Sequence, residues 1–324
     1  MTPLTLFSDA PLGPLATEIL NAATQGHTVL KPLVPASSVL AQAAADPNFS
    51  QAQIAFGQPH VESVYAAPEL KWIQVSSAGF TRYDTLEFRK YVADRGIIVT
   101  NSSLVYARAC AEHVFSFMLA NSRLLPQSLA CRALNGSPEW LGLRSGSRSL
   151  RGQRVVILGY GGIARELVKL LAPFEMKITA MRRQPRGDEG FPVVTEANLP
   201  EALAAADHVI NILPENAESR GFINARRLSE MKAGAIFHNI GRGTTVDQHA
   251  LADALESGHL SAAWLDVTDP EPLPADHVLR LAPHCFITPH TAGGHAAEDE
   301  TLVNHFVDNF RRFLAGEPLL DRIM

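Results

Sequence analysis

The sequence predicts an α/β protein built from parallel sheets in two domains, on three observations. Short runs of β-branched and aliphatic residues alternate with segments of helical period, the pattern that layers helices over parallel strands. The chain has 324 residues, whereas single domains commonly hold about 100–200. Its character changes at a connecting stretch rich in glycine and serine.

The early strand candidates are Leu4–Phe7, Thr28–Pro32, Ile54–Phe56 and Trp72–Ser76, with helical segments such as Leu12–Ala23 between them. Ala109–Leu125 reads as a helix, because Val114, Phe117, Met118 and Leu125 recur at helix-face spacing. Gly136, Pro138, Gly142 and Gly146, with Ser145, Ser147 and Ser149, then read as a polar connection. Beyond it come the apolar strand Val155–Leu158 and a helix over Ile163–Ala172. Further buried strands are expected at Lys177–Met181, Val209–Leu213, Ala235–Ile240, Ala262–Val267 and Phe286–Pro289. Asp247–Glu256 is helical, with Asp247 as N-cap and Gly258 past its end. Ala297–Leu314 has the period of an amphipathic helix. The expected layout is a first domain of residues 1–100 joined by 291–324, and a second of residues 101–290.

Hydrophobic residues make up 46% of the chain and charged residues 19%, and the net charge is −5. That supplies a sizeable core and no cationic excess to draw a nucleic acid or a membrane surface. Cys110, Cys131 and Cys285 are odd in number and form no CxxC pair. They predict neither a disulfide framework nor a metal site, but small hydrophobes in a reducing compartment. No basic segment leads an apolar run near the N-terminus, and no apolar stretch reaches about 18 residues. A cytoplasmic protein is the expectation.

The chemistry starts at Val155-Val156-Ile157-Leu158-Gly159-Tyr160-Gly161-Gly162-Ile163-Ala164, a strand–GxGxx(G/A)–helix passage. Gly159 permits the tight turn, Gly161 lets backbone approach a pyrophosphate, and Ala164 is small enough for helix–strand packing. The pyrophosphate would lie over the helix N-terminus, beside Gly162 and Ile163. This is the signature of a Rossmann dinucleotide site. An acid at the end of the next strand would hold the ribose 2′-OH of NAD. Here the strand ends Met181-Arg182-Arg183. Guanidinium groups bind a 2′-phosphate where a carboxylate would repel it, so NADP(H) is favoured and NAD(H) is the alternative.

Three reactive groups follow predicted strands, at the ends where doubly wound sheets bind ligands. Arg242 follows Ala235–Gly241, Asp266 ends Ala262–Asp266, and His290 follows Phe286–Pro289, with Glu271 in the loop after Asp266. An arginine, an acid and a histidine at one cleft suit polarisation and proton transfer.

Asn239-Ile240-Gly241-Arg242-Gly243, Leu265-Asp266-Val267 with Glu271-Pro272, and Pro289-His290 resemble the signature of D-isomer-specific 2-hydroxyacid dehydrogenases. Gly96–Asn101, Ala111-Glu112-His113, Leu213-Pro214 and Ser77-Ala78-Gly79 extend the resemblance over roughly residues 70–315. It implies a Rossmann domain, a smaller flavodoxin-like substrate domain, and a homodimer. By the same resemblance Arg242 binds the substrate carboxylate and polarises the 2-oxo group, and His290 exchanges a proton with the carbonyl oxygen. Glu271 orients His290. Ser77, Ala78 and Gly79 hold the carboxylate. Asp266 meets the nicotinamide carboxamide, with Tyr160, Leu213, Pro214 and Ile240 among the cofactor contacts.

The resemblance favours an NADPH-dependent reductase of glyoxylate or hydroxypyruvate. Arg182 in place of the usual acid, Ala164 in place of the third glycine, and Phe80 and Arg82 in the substrate loop depart from the common pattern. His60, Tyr83 and Trp140 are further candidates for the pocket. A dehydrogenase of a larger or aromatic 2-hydroxy acid, with Phe80 shaping the pocket, is a second reading. A nucleotide-sensing corepressor is a third.

Overall fold

Strands pair in parallel in two sheets, each in its own unit of the chain. The computed structural model describes residues 2–34 and 45–324. One unit is Met1–Tyr106 with Gly294–Met324, and the other is Ala107–Gly293.

The first unit holds β1 (Thr5–Ser8), β2 (Thr28–Leu30), β3 (Ile54–Gly57), β4 (Trp72–Val75) and β5 (Ile98–Thr100), in the order β2-β1-β3-β4-β5. All pair in parallel. The winding reverses between β1 and β3, so Asp9 and Gln58 follow strands at the reversal, where such sheets take ligands, and Ser76–Gly79 follow the neighbouring β4. The helix expected from Leu12 starts at Pro14 and ends at Ala23, because proline's fixed φ suits the first turn. β2 stops at Leu30, short of the expected Pro32, since proline has no N–H for the ladder. The C-terminal helix Glu298–Ala315 completes this unit's core. Its Phe306 stacks on Phe56 at 4.3 Å and on Trp72 at 5.3 Å, all fully buried.

The second unit holds β6 (Arg154–Leu158), β7 (Lys177–Met181), β8 (Val193–Val194), β9 (His208–Asn211), β10 (Ala235–Asn239), β11 (Leu260–Leu265) and β12 (Cys285–Ile287). Their order is β12-β11-β10-β9-β6-β7-β8, with the reversal between β6 and β9. Val156, Leu158, Val209, Phe237, Ala263 and Leu265 are buried in its core, as expected of parallel strands covered on both faces. β9, β11 and β12 end earlier than their apolar runs. After β9, the N–H of Leu213 turns to Asn211 Oδ1 instead of a neighbouring strand.

One expectation is corrected here. The connection read from glycines and serines contains a helix, Pro138–Gly146. Ser137 caps it by accepting from Trp140 N, and Pro138 and Glu139 stand in its first turn, a set of start signals that outweighs the interior glycine. The helix expected over Ala109–Leu125 spans Ser103–Ser122. Asp247 caps Gln248–Glu256 by accepting from Ala250 N, and Gly258 is left-handed beyond it.

Candidate active site

Helix Gly162–Leu171 begins at the end of β6, where the sheet reverses. Gly159 has φ +94° and a Cβ there would crowd Ile212 O at 3.2 Å. A Cβ at Gly161 would meet nothing within 4 Å, so backbone lies open beside the helix N-terminus. Ala164 is fully buried at the third glycine position. Gly159, Tyr160, Arg182, Arg183, Leu213 and Pro214 line a groove of about 920 Å³. An open glycine, a helix N-terminus with unpaired N–H groups and a groove of this size fit a dinucleotide. Ile163 lies in the helix's first turn, and Ile240 is buried with its N–H on Asn211 O.

Arg182 lies over the Tyr160 ring at 5.8 Å. The sequence shows no acid at this strand end, yet the fold brings Glu189 to Arg182 at 2.8 Å. Arg183 pairs with Glu218 in an exposed ion pair.

Three loops carry the remaining groups, and buried amides fix two of them. Asn211 Nδ2 donates to Asn239 Oδ1 at 3.0 Å and to Thr245 Oγ1 at 2.7 Å. Asn239 Oδ1 also accepts from Gly241 N, while its Nδ2 donates to Arg242 O. Glycines flank Arg242 on both sides for want of room. A Cβ at Gly241 would stand 2.7 Å from Leu213 O, and one at Gly243 only 2.0 Å from the Thr268 carbonyl carbon. The loops after β9, β10 and β11 therefore touch backbone to backbone.

The loop after β12 puts His290 in the left-handed region, φ 53°. Its N–H bonds Asp266 O at 2.9 Å. Its Nδ1 stands 2.8 Å from Glu271 Oε2, and Glu271 Oε1 accepts from Thr268 N at 2.9 Å. The bond to Glu271 raises the His290 pKa, against burial and the Arg242 charge. Burial pushes Glu271 upward, but the His290 bond, the Thr268 N–H and the nearby cations hold it below the usual value. Arg242, Glu271 and His290 thus share one electrostatic neighbourhood.

Asp266 is buried and committed to this loop. Its Oδ1 accepts from Thr288 Oγ1 at 2.6 Å and Thr291 N at 2.9 Å, and its Oδ2 from Ala292 N at 2.9 Å. His113 Nε2 is 3.5 Å from Asp266 Oδ1 and 3.2 Å from Thr288 Oγ1.

In the first unit the Ser77–Gly79 loop is rigidly tied. Ser77 Oγ donates to Gly79 O at 2.6 Å and accepts from Gln58 Nε2 at 2.7 Å. Asn101 Nδ2 donates to Ala78 O at 2.7 Å. Of the further pocket candidates, His60 caps helix Val61–Tyr65 and Tyr83 is fully buried with its hydroxyl on Pro59 O. Trp140 lies in helix Pro138–Gly146, its ring under Arg144.

Sequence reading passed over Asn211, Thr245, Thr288 and Glu189, and quoted Asn239 within a motif without giving it a role. The asparagines carried a signal: each closes an apolar strand run, and a buried amide there demands partners. Glu189 carried none, since only the fold of residues 183–191 brings it to the strand end.

Residues 115–292 match the sequence profile of the D-isomer specific 2-hydroxyacid dehydrogenase NAD binding domain. The chain is 32% identical over 255 residues to an uncharacterised protein of Corynebacterium melassecola, covering 78% of this chain and 82% of that one. It is 32% identical over 256 residues to human glyoxylate reductase/hydroxypyruvate reductase, covering 78% and 77%. A D-isomer specific 2-hydroxyacid dehydrogenase from Xanthobacter autotrophicus, solved with NADPH and MES, superposes with a TM-score of 0.77 at 27% identity, over 100% and 98% of the two chains. An NADPH-dependent glyoxylate/hydroxypyruvate reductase from Sinorhizobium meliloti, solved with NADP and malonate, gives 0.72 at 26%, over 100% and 97%. The chain belongs to the D-isomer-specific 2-hydroxyacid dehydrogenase family of NAD(P)-dependent oxidoreductases.

Proposed function

We propose that the protein reduces a small 2-oxoacid, glyoxylate or hydroxypyruvate, to the D-2-hydroxyacid with NADPH. The observation that carries the reading is the His290–Glu271 bond of 2.8 Å within the field of Arg242. The relatives named for glyoxylate and hydroxypyruvate reduction support the substrate class. The two arginines at the end of β7, and the neighbours solved with NADPH or NADP, support the cofactor.

Gly159–Ile163 would hold the pyrophosphate, Arg182 and Arg183 the 2′-phosphate, and Tyr160, Leu213, Pro214 and Ile240 the groove wall. The bound cofactor supplies a hydride to substrate C2. Arg242 binds the substrate carboxylate and draws electron density toward the 2-oxo oxygen. His290, protonated and oriented through Nδ1, delivers the Nε2 proton to that oxygen and becomes neutral. Glu271 stays ionised and stabilises the imidazolium before transfer. Asp266 holds the His290 loop in place, and Oδ2 has a lone pair left for the carboxamide. The Ser77–Gly79 loop would supply backbone donors to the substrate carboxylate.

The direct test measures turnover with NADPH and NADH against glyoxylate, hydroxypyruvate, pyruvate, phenylpyruvate and 3-phosphohydroxypyruvate. Glyoxylate or hydroxypyruvate with NADPH should give the highest kcat/KM. Absence of turnover with every 2-oxoacid would sink the enzyme reading, and preference for phenylpyruvate would move it to the aromatic class.

A homodimer belongs to the same proposal. Leu125, Leu129, Leu134 and Leu141 are 46–83% exposed within one short segment, an apolar surface that calls for a partner. Sedimentation at micromolar concentration should give twice the chain mass of 35.1 kDa. Three free cysteines agree with a cytoplasmic setting.

A further inference from the structure

The end of β7 lacks an acid in sequence and acquires one in space. Glu189 folds back seven residues to Arg182. Its Oε1 accepts from the Arg182 guanidinium at 2.8 Å and from Arg186 N at 3.0 Å, and its Oε2 accepts from Gly187 N at 2.8 Å. The side chains are 3% exposed for Glu189 and 16% for Arg182. The exposed Arg183–Glu218 pair, by contrast, has both partners more than 70% exposed and contributes little. Phe191 packs edge-on against Tyr160 at 5.3 Å, and Tyr160 in turn supports Arg182. The loop thus closes over the glycine turn's own aromatic ring.

A guanidinium and two backbone N–H groups converging on one point form an anion cradle. Glu189 fills it with the protein's own carboxylate. We propose that Glu189 is a cofactor-specificity residue: its carboxylate occupies the anion cradle at Arg182, and the 2′-phosphate of NADPH has to compete with it. This rests on the reading that Arg182 receives the 2′-phosphate.

The energetics separate the two cofactors. A 2′-phosphate brings about −1.5 to −2 charges against the carboxylate. NADPH binding therefore either breaks three hydrogen bonds or forces like charges together in a half-dry groove. The 2′-hydroxyl of NADH is neutral and needs no anion cradle, so NADH can bind with Glu189 left on its three donors. Glu189 lowers the affinity for NADPH and leaves that for NADH nearly untouched, which narrows the discrimination set by Arg182.

The test titrates NADPH and NADH, followed by nicotinamide fluorescence at fixed ionic strength, into the wild type, Glu189→Gln, Glu189→Ser and Arg182→Ala. Glu189→Gln keeps the shape and removes the charge. It should lower the Kd for NADPH about tenfold and change that for NADH by less than about twofold. Glu189→Ser should act in the same direction. Unchanged or weaker NADPH binding in both variants would overturn the proposal and make Glu189 a support of the cradle. An unchanged NADPH-to-NADH ratio in Arg182→Ala would show that the 2′-phosphate goes elsewhere, and both readings would fall together.

Discussion

His290 Nδ1 lies 2.8 Å from Glu271 Oε2, and that bond is the main cause of the raised pKa of the imidazole. The proposed reduction would consume the imidazolium, so kcat/KM for the 2-oxoacid should fall as pH rises through the His290 pKa, above the ordinary value near 6.5. Glu271→Gln keeps a hydrogen-bond acceptor without the charge. The descending limb should move toward acid, because the imidazolium loses its charged partner, with the cofactor Kd unchanged. A limb that stays in place would show that Glu271 does not set it. The same pair contributes to stability in a bounded window. Its His290 share is complete below the unfolded pKa and lost as pH rises through the raised folded pKa. Its Glu271 share is lost as pH falls through the lowered folded pKa. Both side chains are more than a third exposed, so the effect on Tm is small.

Gly243→Ala should damage both stability and catalysis. The new Cβ would stand 2.0 Å from Thr268 backbone, which no rotamer change relieves. A loss of about 1–3 kcal/mol is expected, together with a fall in kcat/KM as the Arg242 loop is pushed from the Glu271 loop. Denaturant unfolding and steady-state kinetics on one preparation would check it. Gly187→Ala, in open space but at φ +82°, should cost backbone strain with no clash.

The buried pair His208 and His238 should make the protein acid-labile. Their ring nitrogens are 3.1 Å apart. Burial lowers the His208 pKa to about 4, against a partial opposing pull from Asp207, and lowers that of His238 well below its ordinary value. The unfolded chain takes protons near 6.5 and the folded chain does not. Stability is therefore present above that pH and drains away as pH falls toward 4. Tm measured from pH 7 to 4 should drop, and His238→Gln should flatten the slope by roughly half. An unaltered slope would place the acid sensitivity elsewhere.

Phe306→Ala should cost about 3–5 kcal/mol, because the ring is fully buried between Phe56 and Trp72. Phe306→Leu should cost less. Urea unfolding followed by tryptophan emission would report it, since Trp72 is one of the stacked partners.

The legible parts of this protein were those whose cause is local. Gly159 and Gly161 announce a turn between strand and helix, and β6 and β7 follow from unbroken apolar runs. Arg242 and His290 stand just past strand ends, with Glu271 in the loop beyond Asp266, and a parallel sheet gathers strand ends. Less legible were features made by tertiary approach. Helix Pro138–Gly146 hid behind its glycines. Asp266 disclosed nothing of its three bonds to the His290 loop. Glu189 was one acid in a glycine-rich loop, and no spacing rule connects it with Arg182.

The first unit is discontinuous in the chain, closed by Glu298–Ala315, whose Phe306 fills the gap between Phe56 and Trp72. Ile323 N and Met324 N both bond Val99 O at the edge of that unit's sheet. On the ribosome, the contiguous stretch 107–293 emerges whole and can fold as it leaves the tunnel. The first 106 residues cannot complete their core until helix Glu298–Ala315 has also emerged. The nascent chain therefore carries its Phe56–Trp72 surface uncovered for as long as residues 107–297 are being added.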